Sequence, residues 1–359
     1  MTTRSTHAIR TTAVALMCLG LVTAVSACSG SADAAPPGSP ATALRLGYFD
    51  NVTHAPALIG LHEGLIAKDL GKTALTTQIF NAGPATIEAL SAGAIDAAFI
   101  GPSPAINSYL KSGGQSLRVV AGATNGGAAL VVRDGITSAA ELKGTTLGTP
   151  QLGNTQDVAL RTWLTTNGLK NSVDGGGDVT ITPTDNAQVL QLFKAGKIDG
   201  AWLPEPWVSR LVLEAGAHVL VDEATQWKDG AFPTTVLVVN ATFLTQHPQT
   251  VAALIAGETA SVNWLNAHNG TEAVTAVNDQ LTIDGSKALS ADVVQRALTK
   301  VTFSVDPLAS TFPVELDHAV AARLSNKAKL AGIFDLSVLN GQLTKAGKRT
   351  VSADGLGVD

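Results

Sequence analysis

The chain has 359 residues, a formal net charge of −5, 15% charged and 45% hydrophobic residues. Its mild acidity excludes a strongly basic nucleic-acid binder, and its composition excludes a disordered chain while leaving room for two domains of ordinary size. With only two cysteines, Cys18 and Cys28, a disulfide framework is excluded too.

Arg4 and Arg10 precede an apolar run from Ala13 to Val25 that is short and rich in small residues. A spanning helix needs about 20 apolar residues, so this is a signal-peptide pattern. Val25-Ser26-Ala27-Cys28 resembles the bacterial lipobox, in which the Cys is lipidated. Ordinary secretory cleavage beside a free Cys is the other reading. Residues 1–27 are therefore expected to be a signal peptide, and 28–43, rich in Ser, Ala, Gly and Pro, a lipidated Cys and flexible tether. Such an anchor would hold the body extracytoplasmically on the membrane.

The body alternates strands and helices. Leu44 to Tyr48 predicts a strand, Ala55 to Lys68 a helix, Leu75 to Phe80 a strand, and Pro84 to Ala92 a helix stopped by Gly93. Ala97 to Ile100, Leu117 to Ala121 and Leu130 to Arg133 predict strands, with a helix over Pro104 to Lys111. Ser138 and Glu141 have capping-box spacing. Strands over Thr145–Gly148, Val179–Thr182 and Gly200–Leu203 alternate with helices over Thr155–Thr166, Ala187–Ala195 and Trp207–Glu214. The pattern is helical from Pro248 to Leu281, from Ala291 and from Val314, and the polar tail beyond Gly347 is expected to be prone to disorder. Alternation of this kind predicts an α/β fold with mostly parallel sheets.

Shifting the chain on itself by 103 positions brings Ala92, Gly93, Ile95, Asp96 and Ala98 onto Ala195, Gly196, Ile198, Asp199 and Ala201. Each copy is followed by Pro-x-Pro, at Pro102 to Pro104 and Pro204 to Pro206. Chance recurrence of a helix–Gly–strand unit is one explanation. Two similar lobes are the other, and the matching strand ends and loops favour it. Ligands of open α/β sheets bind beyond the carboxyl ends of the strands, which would put both Pro-x-Pro loops in one cleft.

Catalytic and metal motifs are absent: there is no GxxxxGK[ST], GxSxG, CxxC or HExxH, and the His residues form no close pair. What remains is a set of loops that end strands and open helices: Gly83-Pro84, Gly101-Pro102-Ser103 and Gly153-Asn154-Thr155. Helix starts expose N–H groups and a positive dipole end, which suits an anion, although such loops are also ordinary connections. Trp202 and Trp207 flank the second Pro-x-Pro, as an apolar wall for a ligand or as core. Glu205 is either a loop charge or a partner for a cationic ligand group. Phe49, Asp50 and His54 follow the first strand, where the crevice rule also places ligand contacts; for His54 a capping or loop role is the alternative.

The run Asn81 to Pro84, then Glu88 to Asp96 and Gly101 to Pro104, resembles the solute-binding proteins of ABC importers for aliphatic sulfonates, taurine and nitrate. Glu141-Leu142-Lys143-Gly144 and Gly196 to Trp202 fit the same family, and the resemblance covers roughly residues 44–265. It implies an α/β, type II periplasmic-binding-protein fold with two α/β lobes around a ligand cleft. Lobe 1 would comprise residues 44–124 plus 232–359, and lobe 2 residues 125–231. It further implies a monomeric receptor, not an enzyme, without cofactor or metal. Such a receptor captures a small anion, an aliphatic sulfonate or taurine first, and delivers it to an ABC permease and its ATPase. Nitrate, a thiamin-precursor pyrimidine or another aromatic nutrient is the alternative on this scaffold. A desulfinase-like enzyme is a third reading, and the lack of a usable thiol argues against it.

Overall fold

The computed structural model describes residues 38–268 and 270–359. The signal segment, Cys28 and the start of the tether lie outside them. In chain order the first elements are β1 (Ala43–Tyr48), α1 (Ala55–His62), α2 (Leu65–Leu70), β2 (Ala74–Ile79), α3 (Gly83–Ser91), β3 (Ala97–Ile100), α4 (Pro102–Lys111) and β4 (Leu117–Gly126). Then come β5 (Ala128–Val132), β6 (Thr146–Thr149), α5 (Thr155–Thr166), β7 (Thr180–Pro183), α6 (Asn186–Lys194), β8 (Gly200–Pro204), α7 (Trp207–Ala215) and β9 (His218–Asp222). The chain continues through β10 (Pro233–Asn240), α8 (Ala241–Gln246), α9 (Pro248–Ala267), α10 (Thr271–Ile283) and α11 (Ala291–Leu298). It ends with β11 (Val301–Phe303), α12 (Phe312–Ala321), β12 (Phe334–Asp335), α13 (Ser337–Lys345) and β13 (Gly357–Val358).

The strands form two sheets, one per lobe of this α/β protein. The first runs β13-β12-β4-β10-β3-β1-β2 with β11 also on β4, and the second runs β7-β6-β8-β5-β9. Both are mixed rather than mostly parallel. β10 returns antiparallel to both β3 and β4, and β5 lies antiparallel to β8 and β9. The predicted helix over Ala55 to Lys68 is two helices, broken where Gly64 turns left-handed at φ 66°. Order starts before Leu44, because Ala41 is buried and its N–H donates to Thr250 Oγ1 at 2.8 Å. The tail is also held. Ala353 is buried, Val351 N–H donates to Asn340 Oδ1, and β13 pairs in parallel with β12.

The internal repeat has a structural counterpart in each sheet. Leu46-Gly47 of β1 pairs with Ala97-Ala98 of β3, and Leu147-Gly148 of β6 pairs in the same sense with Gly200-Ala201 of β8. Asp96 Oδ2 accepts the N–H of Arg45, and Asp199 Oδ2 accepts that of Thr146, each at 2.9 Å. Each aspartate thus ties the incoming strand to its neighbour. Gly93 and Gly196, both at φ 68°, supply the left-handed stop before it. Side chains alternate faces along a strand, so Leu203 joins one core of the second sheet with Val131 and Val189 while Trp202 joins the other with Leu147 and Leu160.

Candidate functional site

The carboxyl ends of β1, β2, β3 and β8 meet the starts of α5 and α6 around a cavity of about 20 Å³. From the eight-stranded side it is lined by Phe49, Asn51, Thr53, His54, Asn81, Gly101 and Thr234. From the five-stranded side come Asn154, Thr155, Gln156, Asn186 and Pro204. A single water needs roughly 10–15 Å³ by this measure, so the cavity admits a group of about that size in this closed arrangement. Asn51, Asn81 and Asn186 also line an outer cleft of about 500 Å³, whose walls include Asp50, Ile79, Phe80, Trp207, Arg210 and Ser286.

Among the described residues no Lys, Arg, Asp or Glu lines the inner cavity, yet four helices start there. His54 caps α1, Gly101 caps α4, Asn154 caps α5 and Asn186 opens α6. Their positive dipole ends make the space electropositive without a formal charge. His54 is stacked on Phe49 with ring centroids 4.2 Å apart, and burial pushes its imidazole down to about 3, so it is neutral. Its Nδ1 accepts the Phe49 N–H at 3.3 Å, which places the ring proton on Nε2 as a donor. Thr155 Oγ1 and Asn186 Oδ1 are buried without a hydrogen-bond partner among the described residues. Polar atoms left this way in an interior are costly, and a group or water held in the cavity would relieve that cost.

Of the residues singled out from sequence, Phe49, His54, Gly101, Asn154 and Thr155 meet at this cavity, and Asp50 and Trp207 line the outer cleft. The others have different partners. The α3 start is occupied by the opposite lobe. Gly83 N–H donates to Asn154 Oδ1 at 3.2 Å and Ala85 N–H to Gln151 Oε1 at 3.3 Å, and Pro84 has no N–H to offer. Pro102 is buried in the first turn of α4, and the Ser103 hydroxyl donates to the buried Glu315. Gly153 N–H donates to Asp157 Oδ2 at 3.0 Å. Trp202 is core: it is fully buried and its indole donates to Glu223 Oε2 at 2.6 Å. Glu205 is buried against Arg296 at 3.1 Å and accepts the Ser209 N–H at 3.0 Å. Burial nonetheless pushes its carboxyl above the usual range, with Ser209 and Arg296 opposing the shift. It faces no ligand.

Asn51, Thr53, Gln156, Asn186 and Thr234 carry no site signal in the sequence alone, whereas Asn81 opens the run that resembles the solute-binding family and Pro204 belongs to the second Pro-x-Pro. Asparagines and threonines in loops read locally as turn and cap residues, and only the approach of the two sheets shows that they converge. Asp50 accepts from Ser286 Oγ at 2.6 Å, and burial together with Asp284 pushes its carboxyl up to about 6. Among the described residues no group of three or more His, Cys, Asp or Glu is placed to hold a metal.

Gly101 packs directly against Thr155 of the opposite lobe. A methyl group on it would overlap the hydroxyl of Thr155, which is buried and β-branched and so has little freedom to turn away. Gly101→Ala is expected to wedge the lobes apart. Solution scattering should show a larger radius of gyration, and thermal unfolding a loss of about 1–3 kcal/mol, as overpacking commonly gives. An unchanged scattering profile would show that the contact does not limit closure.

A putative binding protein of Brucella abortus is 27% identical over 181 residues, covering 50% of this chain and 54% of that protein. The chain thus spans about half the length of that relative. The taurine-binding periplasmic protein of Escherichia coli is 27% identical over 201 residues, 55% of this chain and 59% of its own. In structure, the alkanesulfonate-binding protein SsuA from Xanthomonas axonopodis pv. citri, bound to MOPS, superposes with a TM-score of 0.68 at 22% identity. That match covers 81% of this chain and 96% of the SsuA chain, and it establishes the shared two-lobed fold. The profile of the NMT1-like family matches residues 37–278, more than half of the sequence, and the chain belongs to that family.

Proposed function

We propose that this protein is the substrate-binding component of an ABC importer, capturing a small anion between its lobes, with an aliphatic sulfonate or taurine as the first candidate. One observation supports the reading: four helix starts converge on a cavity that, among the described residues, has no charged side chain, where the Thr155 hydroxyl has no partner of its own and is free to donate. Such a site suits an oxyanion held by N–H and O–H donors rather than ion pairs, which favours reversible capture. The relatives named above are binding proteins and support a receptor over an enzyme. A permease and ATPase would receive the ligand. The stacked Phe49–His54 pair favours a second reading, a flat neutral heterocycle such as an aminopyrimidine.

No helix among the described residues is long and apolar enough to cross a membrane. The proposed lipid at Cys28 would hold the body on the membrane surface. Cys28→Ser should move the protein from the membrane fraction to the soluble one. Calorimetric titration of the body with ethanesulfonate, taurine, nitrate and an aminopyrimidine tests the ligand class. Saturable heat with a sulfonate is expected. Heat with the pyrimidine alone selects the second reading, and no heat with any of the four overturns both.

A further inference from the structure

Three buried oxygen atoms face one another where β1 and α10 end: the Tyr48 hydroxyl, Asp50 Oδ1 and Asp284 Oδ2. None has a hydrogen-bond partner among the described residues. Tyr48 closes β1 and is fully buried, and the groups acting on its hydroxyl are Asp284, Asp50 and Gln280. Asp284 caps the carboxyl end of α10, and its carboxyl lies next to that of Asp50. The second oxygen of each carboxyl is already tied down. Ser286 Oγ donates to Asp50 Oδ2 at 2.6 Å, and Gln280 Nε2 donates to Asp284 Oδ1 at 2.8 Å. Neither carboxyl forms an ion pair with Lys, Arg or His among the described residues. The carboxyl end of a helix adds partial negative charge to the same place. Two acids, a helix end and an orphaned phenol oxygen thus meet with no positive charge to balance them, a costly arrangement for half-buried groups.

We propose that Tyr48, Asp50 and Asp284 form a calcium site, with Asp50 Oδ1, Asp284 Oδ2 and the Tyr48 oxygen turned to the ion and water completing its shell. The site stands apart from the function proposed above, since it does not depend on which anion the lobes take. All three donors are oxygens, which selects a hard cation over zinc or copper. A charge of +2 balances the two carboxylates. Calcium accepts an irregular shell finished by water, whereas magnesium demands a near-ideal octahedron. The hydrogen bonds from Ser286 and Gln280 fix both carboxyls, as outer partners of metal ligands do. The donor set is two carboxylates and a phenol rather than three acids. Affinity is therefore expected at the weak end for calcium, about 10⁻⁴–10⁻³ M. The bound ion would tie the end of β1 to the segment after α10, whose residues Ser286 to Ser290 wall the outer cleft.

The test needs no anion. The full chain, stripped with a chelator and held at neutral pH, is titrated with calcium chloride in a calorimeter and melted with and without it. Saturable heat is expected, and about 10 mM calcium should raise the unfolding midpoint by roughly 2–5 °C. Magnesium chloride, and sodium chloride at the same ionic strength, should raise it by less than half as much. Asp284→Asn keeps an oxygen for Gln280 but loses the charge, and its calcium affinity should fall at least tenfold. Tyr48→Phe should lose at least threefold. Asp279→Asn, exposed on the same helix, should stay within twofold of wild type. A midpoint for metal-free Asp284→Asn at or above that of metal-free wild type would show that the variant folds and that the two carboxyls repel when no ion is bound. Absence of heat and of any midpoint change in wild type would overturn the site, leaving the two carboxyls to share a proton. An equal rise with all three salts would reduce the effect to screening and overturn it too. Calcium affinity unchanged in both Asp284→Asn and Tyr48→Phe would place the ion elsewhere and equally overturn it.

Discussion

Asp157→Ala is expected to cost about 3–5 kcal/mol of stability, the range for removing one partner of a buried ion pair. Asp157 and Arg161 lie one turn apart on α5, with side chains 0% and 1% exposed, and Arg161 Nε meets Asp157 Oδ2 at 3.0 Å. The carboxylate is fully used. Thr149 Oγ1 donates to Oδ1 at 2.9 Å and Gly153 N–H to Oδ2 at 3.0 Å. Substitution strands the guanidinium, which keeps only the Ser172 carbonyl at 2.9 Å, and it frees the loop between β6 and α5. That loop carries Gln151 and Asn154, the side chains that reach across to the α3 start. Ligand affinity should therefore fall as well, even where the variant remains folded. Urea unfolding at neutral pH measures the stability loss. Asp157→Leu combined with Arg161→Met should recover most of it, because no unpaired charge remains, without restoring the loop. A single substitution costing less than about 1 kcal/mol would show that solvent reaches the pair.

What could be read from the sequence was local. The offset of 103 was visible because the helix, the glycine stop and the strand-entry aspartate are consecutive in the chain. Asp96 and Asp199 do hold equivalent backbone N–H groups. The direction of β10 was not visible, because its partners Phe99 and Ala121 lie more than a hundred residues away and no local pattern records which way a returning strand runs. The same limit applies to the site. Gly83-Pro84 looks like an open anion cradle until Asn154 and Gln151 arrive from the other lobe. Trp202 looks like a cleft wall until strand alternation turns it into the core beside Trp163. Conversely, Asn51 and Asn186 carry no motif, and Asn81 only opens the run that resembles the solute-binding family. They matter because three loops separated in sequence end at one boundary between two spaces.

Stability should fall as pH rises from about 4.5 to about 8, and Glu223 and Glu315 contribute to the fall. Both are buried. Burial pushes Glu223 up to about 8, helped by Glu315 and Asp222 and opposed by Trp202 and Trp227, and it pushes Glu315 up to about 7 against the Ser103 hydrogen bond. In the folded chain Glu315 keeps its proton up to about 7 and Glu223 up to about 8, whereas in the unfolded chain both ionise above about 4.5. Unfolding thus releases protons and gains with each step in pH until the folded carboxyls ionise too. Glu258, buried with neither oxygen partnered, adds to the fall. His54, kept neutral by burial, works in the opposite sense below about 6.5. Comparison with a single variant isolates the effect from both. Glu223→Gln keeps an acceptor for the Trp202 indole but cannot ionise, so it should match wild type near pH 5. Near pH 9 it should exceed wild type by on the order of 3 kcal/mol, read as a shift in urea midpoint. Glu315→Gln should give a smaller gain of the same sign. Parallel stability curves for variant and wild type across this range would mean that the carboxyls ionise normally in the folded protein, and that the seam between α12 and the second lobe is wet.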